Sequence, residues 1–342
     1  MGLRPTIKDV AAEAGVSLKT VSRVLNDEGS VAPATAGRVL TAVESLGYQR
    51  NESAANLRRL GQSTSIIGLV IEDVGNPFYS VLERAVEDVA RDNGCLLMVA
   101  SSGEDPAQEI EVIRAFCARR VDGLVVVPTG VDHSFLQPEM AAGTAVVFVD
   151  RPGIGIESDT VVAANARGAA DGVAHLLDHG HRRVGYLGDD PGIYTAAERY
   201  AGYRHALAAA GIDFNESLVR LGVGDTAAAE ASAAELLGHA DPPTALFAGN
   251  NRLTIGAVRA GRRDGRRVAV VGFDDFELAD MLDPPVTVVS QDASALGSMA
   301  AELLFRRLDG DRRPAQQVML GTTLVVRGSG EIRVDEREGV VL

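Results

Sequence analysis

The stretch TIKDVAAEAGVSLKTVSRVLN, residues 6–26, predicts two short helices joined by a tight turn. Thr6 can cap the first helix together with Asp9, three residues later. Gly15 can adopt the left-handed conformation that ends a helix, and Ser17 can cap the next one. The turn is about three or four residues long, as a helix-turn-helix requires.

Apolar residues continue this pattern into a third helix. The inward-facing positions are Ile7, Val10 and Ala11, then Val21, Val24 and Leu25, and, after Val31 and Pro33, Val39, Val43 and Leu46. Spacings of three and four residues put each set on one helix face. The pattern therefore predicts a small three-helix core, and such a bundle with no DNA role remains an alternative at this point.

The second helix of a helix-turn-helix enters the major groove, and its first residues reach base edges. Here those residues are Leu18, Lys19, Ser22 and Arg23. Residues 1–60 carry eight Lys and Arg against six Asp and Glu, a net charge of +2, whereas the remainder carries 25 against 41, a net charge of −16. The total of −14 therefore confines DNA contact to this end of the chain.

From Ser65 onward, short apolar runs alternate with amphipathic helical stretches. The runs lie at 66–71, 95–100, 123–128, 145–150, 184–188, 245–249 and 268–273, and the helices include 78–93, 106–120, 165–180, 197–211, 226–239 and 252–260. This alternation predicts doubly wound parallel sheets, and the number of units indicates two of them. Ligands of such sheets bind at the carboxyl ends of the strands.

Several classes of protein are disfavoured. No apolar run reaches the roughly 18 residues of a membrane span, and the N-terminus has no signal-peptide pattern, so we expect a cytoplasmic protein. Cys95 and Cys117 lack metal or redox spacing. His175 and His179 are four residues apart, but no HExxH pattern accompanies them. Dinucleotide-binding, P-loop and nucleophile-elbow motifs are absent from the sequence, which argues against an enzyme.

Many segments of the chain resemble the lac-repressor (LacI) family of bacterial regulators. They are residues 6–26, GY at 47–48, NESAANLR at 51–58, IGLVIEDVGNPFY at 67–79, RRVDGLVVVP at 119–128, HLLDHGHRRVGYLG at 175–188, ERYAGYRHAL at 198–207, PTALFAGNN at 243–251 and VVGFDD at 270–275. The resemblance covers essentially residues 5–330.

The resemblance implies an N-terminal all-α helix-turn-helix domain and an α/β periplasmic-binding-protein-like core of two doubly wound parallel-sheet subdomains. The implied divisions are a DNA-binding domain at 1–50, a hinge helix and linker at 51–62, the core at 63–330 and a tail at 336–342. Within the core, the N-subdomain takes about 63–162 and 291–321, and the C-subdomain takes about 163–290 and 322–335. The crossovers fall near 163, 290 and 322, with a ligand cleft between the subdomains.

The resemblance also assigns residues to operator DNA. They are Thr6, Ser17, Leu18, Lys19, Thr20, Ser22, Arg23, Asn26, Ser30, Val31, Asn51, Ala54, Leu57 and Arg58. Leu57 matches the family's wedge, which opens a base step from the minor groove when two hinge helices pair. The chain departs from the family at Ala55, where Arg is common, and at Ala32, where a capping Ser is usual.

Polar groups at predicted strand ends are candidates for holding a ligand. Asp150, Asn250 and Asp274 each end or follow a strand, and Arg199 offers a forked set of donors. By family match, the effector-binding residues are Phe78, Tyr79, Asp150, Thr195, Arg199, Asn250 and Asp274. A helix cap or solvated turn is the alternative for each carboxylate. Asn251 replaces a common Asp, and Ala164 replaces the Asp before Asn165.

Together these features predict a cytoplasmic, nucleoid-associated homodimer that binds a pseudo-palindromic operator. It is expected to respond to a small-molecule effector, a sugar by family precedent, without a further cofactor, metal or membrane partner. Repression is the commoner mode in the family. A small-molecule sensor without operator specificity, and an enzyme on the same scaffold, are the alternatives. The segment after Arg327 has no leucine heptads, so a C-terminal coiled-coil tetramer is not expected.

Overall fold

The computed structural model describes residues 5–25, 31–48, 64–265 and 267–334. The chain separates into two compact units, Met1–Thr64 and Ser65–Leu342. Six residues predicted to contact DNA lie outside the described residues: Asn26, Ser30, Asn51, Ala54, Leu57 and Arg58.

The described part of the first unit consists of three helices, α1 (Ile7–Ala14), α2 (Leu18–Leu25) and α3 (Pro33–Leu46). At the start of α1, the Asp9 carboxylate accepts hydrogen bonds from the backbone N–H and the hydroxyl of Thr6, both at 2.7 Å. Gly15 ends α1 with φ of 63°. At the start of α2, the Ser17 hydroxyl accepts the N–H of Thr20 at 3.2 Å. The predicted caps of the helix-turn-helix are therefore confirmed.

A small core holds these helices together. Its buried members are Val10, Ala11, Ala14, Val21, Val39 and Ala42, with Ile7, Val24, Leu25, Val43 and Leu46 packed against them. The apolar positions predicted from the sequence thus form this core. The third helix follows Ala32, whose side chain makes no cap, which leaves it without roughly 1 kcal/mol of capping free energy.

The second unit begins with the elements of one sheet and continues with those of another. The first group is β1 (Ile66–Ile71), α4 (Pro77–Asp92), β2 (Leu96–Ser101), α5 (Pro106–Ala118), β3 (Gly123–Val126), a 3-10 turn (His133–Leu136), α6 (Gln137–Ala141), β4 (Ala145–Val149) and β5 (Asp159–Ala163). The second group is α7 (Asn165–Asp178), β6 (Val184–Leu187), α8 (Tyr194–Ala209), a 3-10 turn (Glu216–Leu218), β7 (Val219–Arg220), α9 (Thr226–Leu237), β8 (Ala245–Ala248), α10 (Asn251–Asp264), β9 (Ala269–Phe273) and β10 (Thr287–Gln291).

Three last elements return to both sheets: α11 (Ala293–Leu308), β11 (Gln317–Leu320) and β12 (Thr322–Val325). The strand orders are β11-β5-β4-β3-β1-β2 and β12-β10-β9-β8-β6-β7. The chain therefore passes between the sheets after β5, after β10 and between β11 and β12. We call the part built on the first sheet the first lobe and the part built on the second sheet the second lobe. Every strand pair is parallel except β10 with β12, which adds an antiparallel edge to a predicted parallel sheet.

Helices cover both faces of each sheet, as a doubly wound fold requires. In the first lobe, Leu82 of α4 and Leu304 of α11 pack on Val147 of the sheet, and α5 packs on the opposite face through Phe116. In the second lobe, Tyr186 and Phe247 pack with α7 and α8, and a separate cluster joins α9 and α10 to the other face. Each such large side chain contributes about 1.5–3 kcal/mol by burial.

Some elements of the core lie outside those predicted from the apolar pattern. They are β5, β7, β10, β11, β12 and α11. The edge strands β11 and β12 are short and only half-buried, so no continuous apolar run marks them. Their place in the fold depends on pairing with distant strands, β11 with β5 and β12 with β10.

Candidate functional site

The first residues of α2 are exposed at the surface of the first unit. Ser17, Leu18 and Lys19 are exposed, and Leu18 keeps 46% of its surface although it is apolar. Val21 is fully buried and fixes the helix against its neighbours. An apolar side chain beside a cation at a helix start suits contact with a thymine methyl group and with phosphate or guanine.

Five further predicted DNA contacts lie among the residues that the structure describes. Thr6 is exposed, and Thr20, Ser22, Arg23 and Val31 are half-buried. Their role toward DNA stays a prediction.

In the second unit, the carboxyl ends of strands from both sheets meet at one cavity of about 50 Å³. All seven predicted effector residues line it: Phe78, Tyr79, Asp150, Thr195, Arg199, Asn250 and Asp274. Because ligand pockets usually measure roughly 300–1,000 Å³, this cleft is nearly closed between its two lobes.

Two aspartates occupy equivalent corners of the cleft, one in each lobe. Asp150 follows β4 with φ of 69°, and Asp274 follows β9 with φ of 65°. The N–H of each donates to the neighbouring strand, to the carbonyl of Val161 at 2.8 Å and of Val289 at 2.9 Å. The left-handed conformation costs a residue other than glycine about 1–2 kcal/mol, and such strain concentrates at functional sites.

In the second lobe, Arg199 of α8 is held from several sides. Its Nε donates to Asn165 Oδ1 at 2.8 Å, and its Nη1 donates to the Gly249 carbonyl at 2.7 Å and to Asp274 Oδ2 at 3.1 Å. The guanidinium carbon lies 3.9 Å from the centre of the Phe273 ring. The side chain is therefore fixed before any ligand arrives.

The close packing of α8 on α7 makes this arrangement possible. A Cβ atom at Gly202 would lie 2.1 Å from the carbonyl oxygen of Ala166, so only glycine allows the two helices to approach this closely. Arg199, one turn earlier on α8, consequently reaches Asn165 at the start of α7.

In the first lobe, Arg151 is 5% exposed and is surrounded by acids. Its Nη1 donates to Glu104 Oε1 at 2.6 Å, and its Nη2 donates to Glu72 Oε2 at 3.2 Å and to the Tyr79 hydroxyl at 3.4 Å. Asp150 Oδ2 lies 3.5 Å from its Nε. One guanidinium therefore faces three carboxylates.

The pKa values of three acids at the cleft, Glu104, Asp150 and Asp189, are raised. Burial raises the pKa of Glu104 to about 7, although the charge of Arg151 opposes the shift. Burial also raises the pKa of Asp150 to about 6, against the attraction of Arg151 and Arg199. Burial likewise raises the pKa of Asp189, which follows β6 at the same cavity. Perturbed acidities in a cleft are typical of binding and catalytic sites.

Two buried acceptor atoms in the cavity wall have no hydrogen-bond partner among the described residues. They are Asp150 Oδ1 and Gln291 Oε1, on side chains that are 3% and 8% exposed. The orientation of the Gln291 amide is fixed, because its Nε2 donates to Asp274 Oδ1 at 2.7 Å. An unpaired buried acceptor is costly, so a ligand or water that donates to these atoms would be stabilised.

At the mouth of the cleft, polar side chains connect the two lobes. Asn251 Nδ2 donates to Asn76 Oδ1 at 3.0 Å, and the Arg252 guanidinium hydrogen-bonds Asp73 and lies 3.9 Å from Glu72 Oε1. Asn251 therefore faces the other lobe, because it begins α10 opposite the N-terminus of α4.

Other predicted effector residues also have partners within the protein. Asn250 caps α10 by accepting the N–H of Leu253 at 2.9 Å, and its Nδ2 donates to Asp189 at 3.3 Å. Tyr79 is buried, and its hydroxyl donates to Glu72 Oε2 at 2.9 Å. Their contact with an effector stays a prediction, and Asn250 also serves as the N-terminal cap of α10.

Sequence reasoning missed Glu72, Arg151, Asp189 and Gln291, which also line the cavity. The rule that polar residues follow strand ends would have found Glu72, Arg151 and Asp189, which follow β1, β4 and β6. Gln291 ends β10, which the apolar pattern does not predict, and Arg151 comes directly after Asp150 beyond the end of β4.

Two searches of the described residues concern other classes of function. No helix there is long and apolar enough to cross a membrane. No group of three or more His, Cys, Asp or Glu side chains there is arranged to hold a metal ion. Of the two histidines considered in the sequence, His175 forms a hydrogen bond with Glu331, and His179 Nδ1 lies 2.7 Å from the carbonyl oxygen of His175.

Comparison with known proteins agrees with both units. A family described as "Bacterial regulatory proteins, lacI family" matches residues 6–51, and "Periplasmic binding protein-like domain" matches residues 173–330. The "HTH-type transcriptional regulator DegA" of Bacillus subtilis (strain 168) is 31% identical over 335 residues, covering 96% of this chain and 98% of DegA.

Solved structures match over similar lengths. The lac repressor dimer bound to operator and the anti-inducer ONPF has a TM-score of 0.82 and 26% identity, over 96% of this chain and 99% of the other. A complex of the transcriptional regulator CelR with cellobiose has a TM-score of 0.70 and 31% identity, over 95% of this chain and 100% of the other.

Proposed function

Because this chain belongs to the lacI family of bacterial regulatory proteins and is thus a DNA-binding transcription regulator rather than an enzyme, we propose that a small effector controls its repression of target genes. The effector is a sugar, or a molecule with comparable hydroxyl groups, bound in the cleft, and no other cofactor takes part. The observation that carries this proposal is the convergence of all seven predicted effector residues on one cavity.

Operator recognition uses two copies of the chain. The lac repressor structure that aligns with 96% of this chain is a dimer on its operator. Two copies of α2 would occupy two half-sites of a pseudo-palindrome, and residues 51–62 of each copy would pair over the minor groove between them. The protein would accordingly act in the cytoplasm, on the nucleoid.

Switching follows from the nearly closed cleft. A cavity of about 50 Å³ holds only a few water molecules, so an effector must bind a form in which the lobes stand further apart. The effector then shifts the equilibrium between lobe arrangements by its difference in affinity for them. Coupling of that shift to the segment before Ser65 would change operator affinity.

A selection from random DNA duplexes tests the regulator function directly. At moderate salt, the full-length dimer should enrich one pseudo-palindromic sequence, and an added effector should change its affinity for that sequence. Enrichment of no sequence would refute operator recognition. Enrichment without any effector response would leave a regulator but refute the sensing part.

Leu57→Ala tests the predicted wedge. An intercalating side chain unstacks a base step at a cost of about a few kcal/mol, and the bent DNA offsets this cost by contacting more of the protein, so its removal forfeits those contacts. We expect affinity for the selected operator to fall about 100-fold, with little change on random DNA. Fluorescence anisotropy on both duplexes measures this. Leu40→Ala, at an exposed position of α3, should leave both affinities unchanged, and equal losses on both duplexes for Leu57→Ala would contradict the wedge role.

Arg199→Lys tests the effector site. Lysine keeps the charge but loses the fork that bridges Asn165, Gly249 and Asp274. Hydrogen bonds to charged groups contribute about 1.5–3 kcal/mol, so we expect effector affinity to weaken roughly 10- to 100-fold while operator binding without effector persists. Arg167→Lys, at an exposed position of α7, is the matched control. Calorimetry that finds unchanged effector affinity would remove Arg199 from the site.

A further inference from the structure

A second cavity, of about 250 Å³, lies in the second lobe away from the effector cleft. Its walls come from α10, from the residues just before β9 and β10, and from the segment after β12. The effector cleft lies at the carboxyl ends of the strands, whereas this cavity lies at the amino ends of β9 and β10. We call it the α10 cavity. A ligand bound there would leave the cleft free.

Most of the α10 cavity is lined by apolar side chains. They include Val258, Val268, Val270, Val286 and Ile332. Val270 and Val286 are only 4% and 1% exposed, so the core of the second lobe fixes the deep part of the cavity. The volume is slightly below the roughly 300–1,000 Å³ of usual ligand pockets. The cavity therefore suits a small molecule with an apolar body.

Two exposed arginines, Arg262 and Arg267, lie at the rim of this apolar cavity. Neither forms an ion pair within the described part of the chain, and Arg262 donates to the backbone carbonyl oxygen of Asp283 at 3.4 Å. Asp283 is also the one acid among the described lining residues. In the effector cleft, by contrast, Arg151 and Arg199 are both paired with carboxylates. The α10 cavity thus offers cations to a ligand.

The sequence concentrates positive charge around this cavity. Residues 259–267 contain five arginines and a single acid, in a chain whose net charge is −14. The dipole of α10 favours cations in its last turn, which accounts for Arg262 and Arg263. It does not account for Arg267, which comes after the end of the helix at Asp264. A local excess of cations attracts anions.

Gly261 leaves one wall of the α10 cavity without a side chain. It lies inside α10, where glycine is less favourable than alanine. A Cβ atom at Gly261 would meet no described atom within 4 Å, whereas a Cβ atom at Gly256 of the same helix would lie 2.5 Å from that of Ala229. Packing therefore requires glycine at Gly256 but not at Gly261, where its effect is to keep the cavity open.

From these features we propose that the α10 cavity binds a small carboxylate with an apolar body, of the aromatic or branched-chain class. The carboxylate accepts hydrogen bonds from the guanidiniums of Arg262 and Arg267, whose forked donors match its two oxygens. The apolar body lies against the valines. This second site is independent of the effector in the cleft, so its failure would leave the function proposed above intact.

A matched set of compounds tests the site on the full-length protein. Benzoate, phenylacetate and 3-methylbutanoate carry both features, their amides lack the charge, and acetate lacks the apolar body. A ligand that binds the folded chain raises its unfolding temperature, so thermal shift identifies binders and calorimetry gives their Kd values. We expect at least one of the three acids to bind, with its amide and acetate at least tenfold weaker. Binding by none of the acids, or an amide as tight as its acid, would overturn the proposal.

Arg267→Gln tests the charge at the rim. Removing this guanidinium should weaken the acid at least tenfold. Arg259→Gln, on an exposed residue of α10 that does not line the cavity, is the matched control and should change the Kd less than twofold. Equal losses in both variants would mean that the general charge of residues 259–267, and not a site, attracts the acid. Arg199→Lys should leave this Kd unchanged, and a loss there without one in Arg267→Gln would place the acid in the cleft.

Gly261→Leu tests the open wall and separates binding from structural damage. Leucine favours a helix more than glycine does, so the unfolding temperature of the free protein should not fall, while affinity for the acid should drop at least tenfold. Gly37→Leu is the control, because Gly37 lies inside α3 and a Cβ atom there would also meet no described atom within 4 Å. Unchanged affinity in the Gly261→Leu protein would overturn the placement of the acid in the α10 cavity.

Discussion

The two corners of the cleft have the same backbone but different charge balances. Asp150 and Asp274 each follow a strand in the left-handed conformation, and each donates its N–H to the adjacent strand. In the second lobe, Asp274 shares one guanidinium, from Arg199, with two neutral groups. In the first lobe, Arg151 faces Glu72, Glu104 and Asp150.

The same backbone geometry therefore occurs in both lobes, but with a different balance of charges around it. The Arg199 corner is balanced in charge, so it can present a fixed set of donors and acceptors to a ligand. The Arg151 corner holds more carboxylates than cations. Because this corner is buried, the pKa values of Glu104 and Asp150 are raised. We therefore expect the stability of the first lobe's corner to depend on pH more strongly than that of the second lobe's corner.

Replacing Arg151 or Arg199 by methionine should have the largest effect on the free energy of unfolding. Removing one partner of a buried ion pair costs about 3–5 kcal/mol. Arg151→Met leaves Glu104 and Asp150 without an ion-pair partner, and Glu72 keeps only Arg252. The free energy of unfolding should therefore fall by this amount at pH 8 and recover partly at pH 5, because the raised pKa values of Glu104 and Asp150 let these two acids take up protons. Arg199→Met leaves only Asp274 without its ion-pair partner, so its free energy of unfolding should recover less.

Urea unfolding of both variants at the two pH values measures this difference. Arg167→Met, on an exposed side chain of α7, controls for the loss of an arginine as such. An equal pH dependence in the two buried variants would mean that the corners do not differ in charge balance.

Asp150→Asn should change the pH-dependent part of the free energy of unfolding by up to about 3 kcal/mol. Burial raises the pKa of Asp150 from 3.8 to about 6, so the folded state binds its proton more tightly than the unfolded state. Its contribution to stability is therefore present below about pH 4 and is lost as pH rises to about 6. Two pKa units correspond to roughly 3 kcal/mol.

The asparagine variant does not undergo this loss. Its stability relative to the natural chain should thus increase between pH 4 and pH 7, as urea titrations of both proteins at several pH values would show. If the difference in the free energy of unfolding between the two proteins stays constant over this range, the raised pKa of Asp150 would be contradicted.

Arg252→Gln should have the smallest effect, because its ion pairs with Asp73 and Glu72 are partly exposed. Such pairs contribute roughly 1 kcal/mol or less. Since they join the lobes across a cavity too small for a sugar, weakening them should raise effector affinity by up to about fivefold with little change in the free energy of unfolding. Arg259→Gln, exposed on the same helix, is the control. Unchanged effector affinity by calorimetry would show that these contacts do not oppose opening.

The two units differ in how much of their structure can be predicted from the sequence. The caps at Thr6, Gly15 and Ser17 involve neighbours within three or four residues, so the helix-turn-helix can be predicted from a short stretch of sequence. The strand-end rule likewise brings Asp150 and Asp274 to one cavity. The same rule fails for Gln291, because β10 becomes recognisable only through its pairing with β9 and β12.

By itself the sequence determined the DNA-reading helices, the alternation of strands and helices, and the polar residues at strand ends, because each depends on local spacing and hydrophobic period. Only the tertiary structure decided which charges meet. Arg151 and Glu72 are 79 residues apart, and Arg252 and Asp73 are 179 apart. Pairings over such distances, and the burial that shifts the pKa of Asp150, exist only after the two sheets have brought their carboxyl ends together.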